Sequence, residues 1–313
     1  MDNGTAIAEA RADLGLMLGA TERERAYSPS SCIGGDYQPF IAAYVERSRI
    51  AQARAQALGA RWLEVRYGKG PAQRMDLCLP ATVPAAGTGL LVFIHGGYWQ
   101  ELSARDSLFA AAPCLEHGQA FCAIDYTLAP AATVAEIVAE CRSALRALVA
   151  NASQWGIDPA RVVVAGSSAG AHLGAMACLP LPAADQARQA WQPRAVVLLS
   201  GIYQLEPLVG TSINDALGLD AQQARALSPA LHCLQEFPPA LVCWGQVETS
   251  AFKAQSRQFA AALQAAGAAC TTMEVPARNH FDIALDLADP DTALGRHTLG
   301  LLGSPETALA NPS

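Results

Sequence analysis

Residues 161–170 read Arg161-Val162-Val163-Val164-Ala165-Gly166-Ser167-Ser168-Ala169-Gly170. A run of branched apolar residues marks a strand buried on both faces. It breaks at a Gly-x-Ser-x-Gly pentapeptide that opens a helical pattern over Ala169–Cys178. Strand, sharp turn and helix form the context that gives this pentapeptide mechanical meaning. A serine at such a turn stands clear of the sheet, and glycines two positions before and after it let strand and helix approach closely. Ser168 is therefore the candidate nucleophile.

From Arg61 onward, short apolar runs alternate with helix-length segments, the pattern of a mostly parallel sheet covered on both faces. Strands are predicted at Arg61–Tyr67, Arg74–Leu79, Leu90–His95, Phe121–Asp125, Arg161–Ser167, Ala195–Ser200, Ala240–Trp244 and Thr271–Pro276. The first two, separated by a short stretch with Gly68, Gly70 and Pro71, should pair antiparallel. Helices are predicted at Pro39–Ala57, Val134–Ala150, Ala169–Cys178, Ala251–Ala266 and Ile283–Leu287, with Gly267 as a C-terminal stop. The expected fold class is α/β, an eight-stranded, mostly parallel α/β-hydrolase sheet with helices on both faces. Residues 1–313 are read as one domain, with a helical extension over 1–60 and a small cap insertion over 201–237, where Pro207, Gly210, Gly218 and Pro229 break up the chain.

A second signal lies where Leu91-Val92-Phe93-Ile94 runs into His95-Gly96-Gly97-Tyr98-Trp99. Acyl transfer develops negative charge on a carbonyl oxygen, and N–H groups freed by glycine-rich geometry can receive it. Gly97 and Tyr98 are the candidate donors, joined by Ala169, each worth about 3 kcal/mol. His95 and Gly96 are assigned to supporting this loop.

For the chain order serine, acid, histidine to hold, the base must follow the last strand. Of the six histidines only His280 lies in the loop just after the final predicted strand. His172, one turn beyond Ser168, is read as packing behind the site, and His117, His232 and His297 as surface residues. The acid falls in the loop after Ala240–Trp244, where Glu248 can fix the imidazole tautomer. Asp282 is its rival, although two residues past His280 it resembles a helix N-terminal carboxylate. Tyr98, Trp99, Tyr203, Asn214 and Phe281 are expected to contact substrate.

Composition narrows the field. With 51% hydrophobic and 16% charged residues, the chain can bury a large core. A net charge of −7 and no Lys/Arg cluster argue against nucleic acid. Nine scattered cysteines without a Cys-x-x-Cys pair suit neither zinc nor a disulfide framework. No metal or other cofactor is expected. The absence of a basic leader or a long apolar stretch leads to the expectation of a cytoplasmic protein without membrane contact, with a homodimer as one arrangement.

The pairing of His95-Gly96-Gly97-Tyr98-Trp99 with Gly166-Ser167-Ser168-Ala169-Gly170 resembles the kynurenine formamidase (arylformamidase) branch of the α/β-hydrolases. Wider lipase and esterase relatives carry a third glycine where Tyr98 stands. The likeness extends to Tyr27-Ser28-Pro29-Ser30, to Thr211 through Leu219, to Glu248 through Ser256 and to Asn279-His280-Phe281-Asp282, nearly the whole chain. It implies hydrolysis of N-formyl-L-kynurenine to kynurenine and formate by Ser168, His280 and Glu248, where relatives often place aspartate. A carboxylesterase or carbamate hydrolase acting on a small aromatic substrate is the alternative, since catalytic residues alone do not separate ester from amide. A non-catalytic binding protein on the same fold is the third reading, opposed by the presence of nucleophile, base and glycine loop together.

Overall fold

A computed structural model describes residue 9 and residues 11–180 and 191–303. Eight strands form one sheet in the order β1-β2-β4-β3-β5-β6-β7-β8. They are β1 (Arg61–Arg66), β2 (Arg74–Leu79), β3 (Thr88–Ile94), β4 (Ala120–Ile124), β5 (Ile157–Ser167), β6 (Ala195–Leu199), β7 (Ala240–Val247) and β8 (Cys270–Asn279). The pairs β1–β2 and β2–β4 are antiparallel, and every later pair is parallel. Each sequence-predicted strand is present. β5 starts earlier than expected, at Ile157, because Thr88 pairs with Ile157 before the register slips and Leu90 meets Val162.

The helices are α1 (Ala20–Ala26), α2 (Gln38–Ala57), α3 (Ala111–Glu116), α4 (Val134–Asn151), α5 (Ala169–Cys178), α6 (Asn214–Leu217), α7 (Ala221–Ala226), α8 (Ser250–Ala265) and α9 (Ala293–Leu302). The predicted helix at Ile283–Leu287 is instead a 3₁₀ turn over Asp282–Asp286. α1, α3, α6, α7 and α9 have no counterpart among the predicted helices. Gly267 does end α8, at φ +84.

Alternate residues of the central strands enter opposite cores, as the two-residue period of a strand requires. Val92, Val162, Val164 and Leu198 face α4, α5 and α8. Leu91, Phe93, Val163 and Leu199 face α2, α3 and α9. Burial on both faces explains the unbroken apolar reading of β5. The 201–237 segment, expected as a cap, holds α6, α7 and two 3₁₀ turns. All nine cysteines are free, and six of them are buried as small apolar residues of the core. Among the described residues no helix is long and apolar enough to cross a membrane.

Candidate active site

β5 delivers Ser168 directly into the N-terminus of α5. Its φ of +57 and ψ of −119 lie outside the regions open to ordinary residues. The turn is held by the Ser168 N–H, which donates to the Leu199 carbonyl at 2.8 Å. It also requires glycine on both sides. A Cβ on Gly166 would meet the Gly170 carbonyl oxygen at 2.2 Å, and one on Gly96 would lie 3.2 Å from the Ser168 Cβ.

β8 leads His280 to the same place. Asn279 and Asp282 close the turn around it: Asn279 N–H donates to Asp282 Oδ1 at 2.7 Å, and Phe281 N–H donates to Asn279 Oδ1 at 2.8 Å. His280 Nε2 lies 2.9 Å from Ser168 Oγ, and Nδ1 lies 3.3 Å from Glu248 Oε2. All three side chains are buried. The contact to a carboxylate makes Nδ1 the protonated nitrogen and leaves Nε2 free to accept from the serine hydroxyl. Glu248 follows β7, and its other oxygen accepts from Ser200 Oγ and from Gly245 N–H, each at 2.5 Å. Asp282, the rival acid, is committed to its own turn, and burial pushes its carboxyl up despite the Asn279 N–H.

The loop after β3 stands over the serine. Gly97, Tyr98 and Trp99 have φ of +94, +49 and +61. Among the described residues no hydrogen bond engages the N–H of Gly97 or Tyr98, and Ala169 opens α5, where helical N–H groups have no intrahelical partner. His95 is buried beneath the loop, stacked on Tyr126 with ring centroids 4.2 Å apart. Its Nδ1 lies 3.0 Å from the Gly96 carbonyl, and Nε2 sits 3.6 Å from Asp125 Oδ1, beyond hydrogen-bond range. Burial works to raise the Asp125 carboxyl, but His95, the Ala104 N–H and Arg74 outweigh it and hold it below the usual range.

A cavity of about 400 Å³ opens over Ser168 and His280. Its aromatic lining is Tyr27, Tyr37, Tyr44, Phe93, Tyr98 and Phe281. Phe281 stacks between Tyr37 and Phe40 at 5.5 and 5.7 Å. Of the five side chains expected to contact substrate, Tyr98 and Phe281 line this cavity, and the other three lie outside it. Trp99 is fully buried edge-on to His172, because two successive positive φ values turn its indole inward. Tyr203 stacks on Phe259 at 4.2 Å in the core. Asn214 spends its amide on its own turn, bonding both the N–H and the carbonyl of Leu219. Conversely, Tyr37 and Tyr44 of the N-terminal segment went unread as site residues; the only pointer was the Tyr27–Ser30 stretch, which lines the same cavity. His172 is buried, and its Nε2–H donates to the Leu227 carbonyl at 2.7 Å.

Residues 75–263 match the BD-FAE family. Kynurenine formamidase of Salmo salar is 30% identical, with 90% of this chain and 96% of that one covered. The chain belongs to the BD-FAE family, in the kynurenine formamidase-like branch of the α/β-hydrolases. A second kynurenine formamidase, of Danio rerio, is 29% identical over the same shares of chain. Among solved structures of this fold, one from Silicibacter sp. TM1040, provisionally named a thioesterase, is 31% identical with a TM-score of 0.70. It covers 89% of this chain and 98% of its own. This member of the BD-FAE family is a hydrolase.

Proposed function

We propose that the protein is a serine hydrolase that cleaves aryl formamides, N-formyl-L-kynurenine foremost, to the arylamine and formate. The observation that carries this reading is the 2.9 Å contact between Ser168 Oγ and His280 Nε2 at the floor of an aromatic-walled cavity. The kynurenine formamidase name of the Salmo salar relative supports the choice of substrate.

In this mechanism Ser168 Oγ attacks the formyl carbon while its proton passes to His280 Nε2. Glu248 holds the imidazole and balances the imidazolium that forms. Negative charge on the former carbonyl oxygen is received by the N–H groups of Gly97, Tyr98 and Ala169. The C–N bond then breaks, His280 returns the proton to the leaving nitrogen, and a formyl ester remains on Ser168. Water, deprotonated by His280, attacks that ester and releases formate. An aryl ring takes up the nitrogen lone pair, so the arylamine leaves more readily than an alkylamine and needs no further activation.

Carboxylester hydrolysis is the second reading, supported by the name of esterase LipQ of Mycobacterium tuberculosis, 28% identical over 72% of this chain. Measuring kcat/KM for N-formylkynurenine against short p-nitrophenyl esters separates the two. The formamide reading requires a preference of about tenfold or more for the formamide, and a smaller ratio overturns it.

A further inference from the structure

We infer that Ser200 is a positioning residue of the hydrolytic reaction, holding Glu248 in the orientation from which this longer acid serves His280. The inference rests on the triad reading above.

Glutamate carries one more rotatable bond than aspartate, so its carboxylate needs more than a backbone position to fix it. Here the fixing is unequal between the two oxygens. Oε1 accepts from Ser200 Oγ and from Gly245 N–H, both at 2.5 Å, and Oε2 is left to His280 Nδ1 at 3.3 Å. The two donors come from different strands, one from the end of β6 and one from β7, so they set both the direction and the tilt of the carboxylate. Gly245 cannot be varied freely, because a Cβ there would lie 2.4 Å from the Arg278 carbonyl oxygen.

Ser200 itself carries a signature of this role. It is fully buried and has φ +50, a left-handed conformation that is costly for a residue with a Cβ. Its N–H donates to the Cys243 carbonyl at 2.8 Å, which pins the backbone in that state and aims the hydroxyl across β7 at Glu248. Among the described residues the other hydrogen-bond and ring contacts of His280 are to Ser168, Phe252 and Phe281, so the charged group in direct contact with the imidazole is Glu248.

The test compares Ser200→Gly and Ser200→Ala in the full chain with p-nitrophenyl acetate. Glycine suits a φ of +50 and alanine does not, yet both lack the hydroxyl. A hydrogen bond to a charged group is lost in each, so kcat should fall about 10- to 100-fold in both, with KM changed by no more than about twofold. With Gly245 N–H the one donor left on Oε1, the carboxylate charge bears more strongly on the imidazole and favours its protonated form. The acid limb of the kcat/KM profile should therefore move to higher pH. Wild-type kinetics in Ser200→Gly, or a lower Tm with an unmoved acid limb, would assign Ser200 to folding alone and overturn the inference. Activity that survives Ser168→Ala would instead remove the triad reading, and this inference with it.

Discussion

The α-carbon of Gly170 lies against the carbonyl oxygen of Ile94 so closely that a methyl group there would come within 2.0 Å of it. The first turn of α5 is thus pressed onto the end of β3, which is what brings the glycine loop over Ser168. Backbone atoms cannot rotate away as a side chain can, so Gly170→Ala should destabilise the fold by about 3 kcal/mol or more. Urea unfolding should show a lower midpoint at unchanged slope. A wild-type midpoint would mean that strand and helix are not in this contact.

Removing either Ser168 or His280 by alanine substitution should reduce kcat by roughly 10⁵–10⁶, because each disables the same unit. Glu248→Ala should cost less, and Asp282→Ala should leave the chemical step intact, since its carboxylate serves the turn at Asn279. Single-turnover rates with a formanilide check this ordering. If Asp282→Ala were the more damaging of the two acid variants, the choice of Glu248 would be wrong.

Stability should decline on acidification for a reason located at His172. Burial pushes this imidazole down to about 4, against the hydrogen bond to Leu227. Between the ordinary histidine value of about 6.5 and this lower one, the unfolded chain holds a proton that the folded chain refuses. The contribution is complete above that window, is lost as pH falls through it, and is constant again below it, amounting to roughly 3 kcal/mol. His172→Gln keeps a donor for Leu227 and cannot titrate. The stability difference between wild type and this variant should shift in favour of the variant from pH 7 to pH 4; a pH-independent difference would rule out His172 as the source.

Tyr37 should act on aromatic substrates and spare others. Its ring lies 5.5 Å from that of Phe281 at the cavity wall, nearly parallel to it. An aromatic ring set against a substrate ring contributes about 0.5–1.5 kcal/mol beyond burial, so if Tyr37 offers the aryl group such a wall, Tyr37→Ala should lower kcat/KM for aryl formamides roughly 2- to 10-fold. Hydrolysis of a small alkyl ester should change little. Equal losses on both substrates would point to a general role in folding.

The amino-acid sequence by itself determined the sheet and the places of Ser168, Glu248 and His280 along it. The inner strands read as apolar runs because their residues are buried on both faces, and Ser168 and Glu248 each follow such a run, whereas His280 follows β8, an edge strand that is largely exposed. A residue at the end of a strand inherits its position from the strand, so a local signal sufficed. The glycine loop was legible for the same reason. Only the tertiary structure decided which side chains line the cavity over Ser168. Trp99 turns inward on a left-handed backbone, Tyr203 packs on Phe259 across the core, and Asn214 closes its own helix. Tyr37 and Tyr44 reach the cavity from a segment more than a hundred residues before Ser168. Whether a side chain lines a cavity depends on how separate elements pack against one another, and no periodicity along one element records that.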